Sequence, residues 1–257
     1  MDREKAIQSF KEYTDKYDST DTKICLKIEH SFKVCEIAEQ IARALSVPLE
    51  DVELAWLMGL LHDIGRFEQL RQYGTFIDAN SIDHAKLSAD ILFRDGLIEE
   101  YRDESLPDGW ESICEKAIRL HNKLLLPEDL DERELIFCNI LRDADKADIF
   151  RVLAEIPYEK RVSSESAPRR DRAREDVMDC VRAHRCVPRF LERTKHEALI
   201  SQCCMAFELV FDKSRQIVKE QGNLKRLIEQ AKAEATTPET EQLSVLEGEL
   251  KKAGGIL

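Results

Sequence analysis

His62-Asp63-Ile64-Gly65-Arg66 follows directly on the apolar run Ala55-Trp56-Leu57-Met58-Gly59-Leu60-Leu61. Leu54, Leu57, Met58 and Leu61 share a face with His62 at helical spacing, so the His-Asp doublet is expected to point inward from the end of a buried helix. An inward aspartate is costly unless it is paired or bound to a cation. Gly65 suits the left-handed position that ends a helix. The helix C-terminus adds partial negative charge, which also favours a cation there.

Upstream, Ser46-Val47-Pro48 opens this helix, with Pro48 near its first turn. The segment from Thr22 to Leu45 has a helical period, with a stripe of Val34, Ile37, Ile41 and Leu45. His30 lies on that stripe one turn before Val34; taken alone, it reads as a core histidine with its ring hydrogen-bonded. Asp2 to Tyr17 reads as a short helix, and Ser19, Thr20 and Asp21 supply capping residues after it.

Downstream, Phe67 to Asn80 holds Gly74, Asp78 and Asn80 and reads as a loop. Ser81 is expected to cap a helix from Ile82 to about Phe93, with His84 in its first turn. Pro107-Asp108-Gly109 is a turn signal, Trp110 to Asn122 a helix containing His121, and Pro127 a break. A long helix then starts at Asp131 or Glu132. Asp145 aligns on its apolar face with Cys138, Leu141, Ile149 and Val152. Ile156 to about Asp171, with Pro157 and Pro168, reads as a loop. Glu175 to Leu191 and His196 to Gly222 read as helices, the second with a stripe of Leu199, Cys203, Ala206, Phe207, Val210, Phe211 and Ile217. From Leu224 the pattern is helical but polar, interrupted at Thr236-Thr237-Pro238.

Composition excludes several classes. With 9 Gly and 7 Pro among 257 residues, mostly helix is expected. The formal charge of −12 argues against nonspecific nucleic-acid binding. No apolar run approaches the ~18 residues of a membrane span, and the charged opening residues do not read as a signal peptide. The 8 cysteines include no CxxC pair, and they read as reduced thiols of a cytoplasmic protein.

His30, His62, His84 and His121 each fall on or beside a core-packing helix, and Asp63 and Asp145 join them. His184 and His196 lie among charged residues and read as surface positions. Nitrogen and carboxylate ligands without thiolate suit a catalytic ion rather than a structural zinc. Six candidates fit two ions sharing a bridging carboxylate. Ions about 3.5–4 Å apart can hold a phosphoryl oxygen and lower the pKa of a bridging water. The sequence offers no GxSxG, P-loop, HExxH or GxGxxG motif as an alternative chemistry.

From Thr22 to Val152 this ordered set, with His62-Asp63-Ile64-Gly65-Arg66 and Ala144-Asp145-Lys146-Ala147-Asp148, resembles the HD-domain metal-dependent phosphohydrolase superfamily in its HDIG form. The resemblance implies an all-α HD-domain helical bundle that cleaves a phosphate ester, of a nucleotide or another small phosphorylated metabolite, through attack of a metal-bound hydroxide. It implies one or two divalent ions drawn from Mn, Fe, Ni, Co, Zn or Mg. His30, His62, Asp63 and Asp145 would hold the first ion, and Asp63 would bridge to a second held by His84 and His121. Asp143 is the fallback for Asp145, as a partner behind the ligands, and Asp148 would orient neighbours. The 5'-deoxynucleotidase branch has an acid where this chain has Arg66, which reads instead as a phosphate clamp beside the catalytic Asp63. Lys146 is a second candidate for phosphate contact, and Asn122 and Lys123 are candidates to line the cleft. Tyr73-Gly74-Thr75 does not match the GYP element of the cyclic-dinucleotide phosphodiesterase branch.

Residues 1–155 are expected to form the HD core. Residues 156–257 are expected to add helices to the same compact unit, and the stretch from about Glu175 to Leu227 resembles the C-terminal extension of some bacterial HD-domain proteins. The acidic tail from Glu229 offers a surface for homo-oligomerisation. Specificity is expected from Phe67–Asn80, Lys123–Asp131 and Pro157–Asp171. A nucleotide-sensing or cyclic-nucleotide phosphodiesterase HD protein, and a helical interaction protein with core histidines, are the competing readings.

Overall fold

Scarce glycine and proline and long 3.6-residue periods produce helices throughout. In the computed structural model no strand occurs among the described residues, which are 1–156, 172–188 and 194–257. No helix among them is long and apolar enough to cross a membrane. The chain divides into two units, Met1–Asp145 and Lys146–Leu257.

In the first unit, α1 (Arg3–Thr14) is capped by Asp2, whose carboxylate accepts from Lys5 N. Arg3 ties α1 down through Glu39 and Glu53 and lies over the Trp56 ring. Asp21 caps α2 (Thr22–Ala44) by accepting from Lys23 N. Leu45, expected on the buried stripe, instead follows the last turn as its C-cap and is exposed. Pro48 stands at the N-cap of α3 (Leu49–Leu61).

α3 is apolar nearly all round, from Val52 to Leu61, so it is the central helix of its unit. It packs closely on α2 because Gly59 has no side chain: a Cβ there would lie 2.5 Å from Cys35 Cα. Ridge and groove are thus backbone against backbone. This carries the end of α3, and with it His62 and Asp63, into the interior, where both are buried.

The chain continues through His62-Asp63-Ile64 as a turn into α4 (Gly65–Tyr73). Two expectations are corrected here. Gly65 does not adopt a positive φ; it opens α4, and its role is close approach, since a Cβ would meet Ser88 N at 2.6 Å. The first half of the stretch expected as a loop, Phe67 to Tyr73, is helix. It ends at Gly74 (φ 67°), the left-handed cap the sequence asked for nine residues earlier.

The next helix, α5 (His84–Ala89), is capped by Asp83 rather than Ser81, its carboxylate accepting from Ala85 N and Lys86 N. A wider turn over Asp90–Arg94 continues it. α6 (Trp110–Leu120) ends at His121, and α7 (Glu132–Glu155) follows. The unit boundary falls inside α7.

In the second unit, α8 (Glu175–Arg182) is shorter than the expected Glu175–Leu191 helix, and Leu191 lies outside the described residues, as do residues 157–171 with Pro157 and Pro168. The expected single helix from His196 to Gly222 is two. α9 (Lys195–Cys204) and α10 (Asp212–Gln221) are separated by a 3₁₀ turn and an extended step at Leu209. Arg215 donates to the Leu209 and Val210 carbonyls at the break. α11 (Asn223–Lys232) follows Gly222. Thr236 and Glu239 form a capping box that starts α12 (Thr237–Lys252), so Pro238 begins a helix there. The polar tail still buries Leu243, Leu246 and Leu250. His196, expected at the surface, is buried, with Nε2 3.2 Å from Gln242 Oε1. His184 stacks on Phe207 and pairs with Glu249. All eight cysteines are free, and only Cys25 is exposed.

Candidate metal centre

α2, the α3–α4 turn, α5, the end of α6 and α7 each contribute one part of a buried cluster in the first unit. His30 projects from α2 and His62 and Asp63 from the turn. His84 opens α5, His121 caps α6, and Asp145 comes from α7. His30 Nε2 lies 3.1 Å from Asp145 Oδ1 and 3.7 Å from Asp63 Oδ2. His62 Nε2 lies 3.5 Å from Asp63 Oδ2 and 3.6 Å from Asp145 Oδ1. On the other side, Asp63 Oδ1 is 3.6 Å from His84 Nε2 and 3.7 Å from His121 Nε2. Asp63 therefore shows one oxygen to each group, as a bridging carboxylate must. His30, His62 and Asp63 form one set able to hold an ion; Asp63, His84 and His121 form another.

The ring orientations are fixed from behind. His62 Nδ1 donates to Gly59 O at 2.8 Å, and His121 Nδ1 to Ile118 O at 2.7 Å; each carbonyl lies three residues back on the same helix. His84 Nδ1 donates to Asp78 Oδ2 at 2.6 Å. With Nδ1 carrying the proton, each Nε2 presents a lone pair to the cluster, which is how ligating imidazoles are held. His62 Nε2 and Asp63 Oδ1 are buried and make no hydrogen bond. Such orphaned atoms are expensive unless something electropositive meets them. The residues present therefore fit divalent cations.

Charge agrees with this. Burial alone would raise the Asp63 carboxyl, yet Lys27, with His62, Arg66 and His84, holds it well below the usual carboxylate range. Burial would likewise raise Asp145, but the hydrogen bond to His30 and the nearby His62 ring hold it down. Burial lowers His84 against the pull of Asp78, and it pushes His121, with His84 and His62 nearby, down to about 3. Asp63 and Asp145 are thus held ionised and His84 and His121 neutral, the states that metal binding needs.

The other residues singled out from the sequence fall as follows. Arg66 Nε is 3.5 Å from Asp63 Oδ1 and buried without a hydrogen-bond partner, while Nη1 donates to Gln69 Oε1, Phe76 O and Asp78 Oδ1. Lys146 belongs to the second unit, where its ammonium is 3.3 Å from Glu208. Asn122 and Lys123 both bind Asp83, the cap of α5. Arg142 donates to the carbonyls of Lys123 and Leu124 and so pins the segment after His121. Asp143 is buried, and Asp148 pairs with Arg151.

Three contributors escaped the sequence reading. Lys27 Nζ sits 2.6 Å from Asp63 Oδ2; its place three residues before His30, on the same helical face, was a usable signal. Asp78 orients His84 from a loop. Gln69, fully buried, holds that loop by donating to Asp78 Oδ1, Ser81 Oγ and Ile82 O.

No curated protein and no solved structure matched the chain. The family model described as HD domain matches residues 28–150, the span from just before His30 to just after Asp145. Over that segment the chain is similar to the HD domain.

Proposed function

We propose that this protein is a metal-dependent phosphohydrolase acting on a phosphate ester of a nucleotide or another small phosphorylated metabolite. The observation that carries the reading is the bridging position of Asp63, with one oxygen facing His30 and His62 and the other facing His84 and His121. Divalent ions held by these residues and Asp145 would neutralise phosphoryl charge and make a water nucleophilic at neutral pH. The chain itself supplies the rest. Gly59 O, Ile118 O and Asp78 lock the imidazoles, and Lys27 keeps Asp63 ionised. Arg66 offers a buried, uncommitted Nε–H beside Asp63 for a phosphoryl oxygen. Lys146, engaged by Glu208, carries no role in this reading.

Metal analysis of the purified chain, followed by hydrolysis assays on nucleotides and sugar phosphates with added Mn, Fe, Co or Ni, tests the proposal. Bound divalent metal and phosphate release that disappears in Asp63→Ala, with helicity unchanged, is the expected result. A chain that binds none of these metals and releases no phosphate contradicts it.

A further inference from the structure

Asp63 Oδ2 is the oxygen that faces His30 and His62, yet it already has a cation on it. Lys27 Nζ stands 2.6 Å away, on a side chain 16% exposed. A divalent ion held by His30, His62, Asp63 and Asp145 would call on this same oxygen, the one nearest His30 and His62. Two cations on one carboxylate oxygen repel strongly in a buried site, so the ammonium and the ion compete for it.

The two basic residues at the pocket differ in freedom. Arg66 is anchored, with Nη1 donating to three acceptors. Among the described residues the polar partner of Lys27 is Asp63, and its four-carbon stem can swing. Phe76 stands beside both basic groups. Its ring centroid lies 5.8 Å from Lys27 Nζ and 5.7 Å from the Arg66 guanidinium carbon, so both cations lie against the half-buried Phe76 ring. Once divalent ions neutralise Asp63 and Asp145, the two basic groups have surplus positive charge beside the ions, and an anion is what balances it.

We propose that Lys27 is a phosphate-binding residue: with a divalent ion held at Asp63, its ammonium would leave Oδ2 and reach a phosphoryl oxygen of the substrate beside Arg66. Lys27 thus couples the two ligands in opposite senses. It opposes ion binding by holding the carboxylate, and it favours anion binding once released. The inference rests on the phosphohydrolase reading and adds to it the residue that senses the phosphoryl group.

The test is Lys27→Met, which keeps the stem and removes the charge. Mn²⁺ affinity is measured by titration without substrate, and inorganic phosphate affinity by titration of the Mn²⁺-loaded protein. The expected result is Mn²⁺ binding about tenfold tighter, since a competing charge is removed, and phosphate binding about tenfold weaker, since a charge-assisted hydrogen bond is lost. In turnover the change falls on KM more than on kcat. Lys27→Arg is expected to restore phosphate affinity. Unchanged affinities, or Mn²⁺ and phosphate both binding more weakly, overturn the inference while leaving the phosphohydrolase reading in place, provided the unaltered chain binds Mn²⁺ and releases phosphate. An unaltered chain that binds no Mn²⁺ overturns both.

Discussion

His84 Nε2 and His121 Nε2 face each other across 3.1 Å, while each ring has its Nδ1 bound elsewhere, to Asp78 and to the Ile118 carbonyl. Both rings are buried, and burial disfavours their protonation. Two neutral imidazoles with protons on Nδ1 therefore aim lone pairs at each other. That arrangement is repulsive by itself and becomes attractive with a cation between the rings and Asp63 Oδ1. The same logic applies to His62 Nε2, which is buried and has no hydrogen-bond partner.

Asp78 is the residue that fixes the His84 tautomer, so Asp78→Asn is expected to weaken metal binding by about 10–100-fold, the usual effect of losing a partner behind a ligand. The helical content is expected to be unchanged. Competition of the variant with a chelator of known affinity measures it. Equal affinity in Asp78→Asn and the unaltered chain would mean that His84 needs no support from behind.

Gly65 joins the His-Asp turn to α5 through its amide, which donates to Ser88 Oγ at 2.9 Å. A Cβ at this position meets Ser88 N and the His84 carbonyl at 2.6 and 3.0 Å, and both are backbone atoms that cannot rotate away. Gly65→Ala is expected to push α4 and α5 apart, costing about 1–3 kcal/mol of stability and loosening the Asp63–His84 half of the site. Chemical denaturation together with metal titration checks this. A variant as stable as the parent, with parental metal affinity, would contradict the packing argument.

The chelated protein is expected to lose stability as pH falls below about 6.5, well before carboxylates titrate. His84, His121 and His196 are all lowered by burial, His121 to about 3. Their folded pKa values lie under the unfolded value of about 6.5. Below that pH the unfolded chain binds more protons, so acidification favours unfolding, and for His121 the loss continues down to about pH 3. Each such histidine contributes a slope of up to about 1.4 kcal/mol per pH unit. Denaturation midpoints at pH 7.5, 6 and 5 in chelator read the effect, and His121→Gln should flatten it. Stability that is constant from pH 7.5 to 5 would show these rings to be solvated.

The helices and four of the histidines were legible because both depend on local spacing. His30 and His62 sit on apolar stripes, and His84 and His121 stand at the start and end of helices whose periods can be counted. What the sequence hid is long-range. Asp78 reaches His84 only because Gly74 reverses the chain and Gln69 holds the loop from within α4. His196, flanked by Lys195 and Glu197, looked solvated, but Gln242, 46 residues away, covers it. Gly65 fits a left-handed cap by its sequence, but its use is close approach to Ser88; a missing side chain serves both purposes, and only the neighbour across the gap distinguishes them. The break at Leu209 was invisible because the apolar period runs through it, and it depends on where Arg215 places its guanidinium.

The central claim is that Asp63 bridges two cation sites. Metal content per chain, measured on the unaltered protein and on a His84→Ala, His121→Ala double variant after loading with Mn²⁺ and desalting, tests it most directly. The expected values are two ions per chain for the unaltered protein and one for the variant, the remaining ion held by His30, His62, Asp63 and Asp145. No bound metal in the unaltered protein, or the same content in both, would contradict the claim.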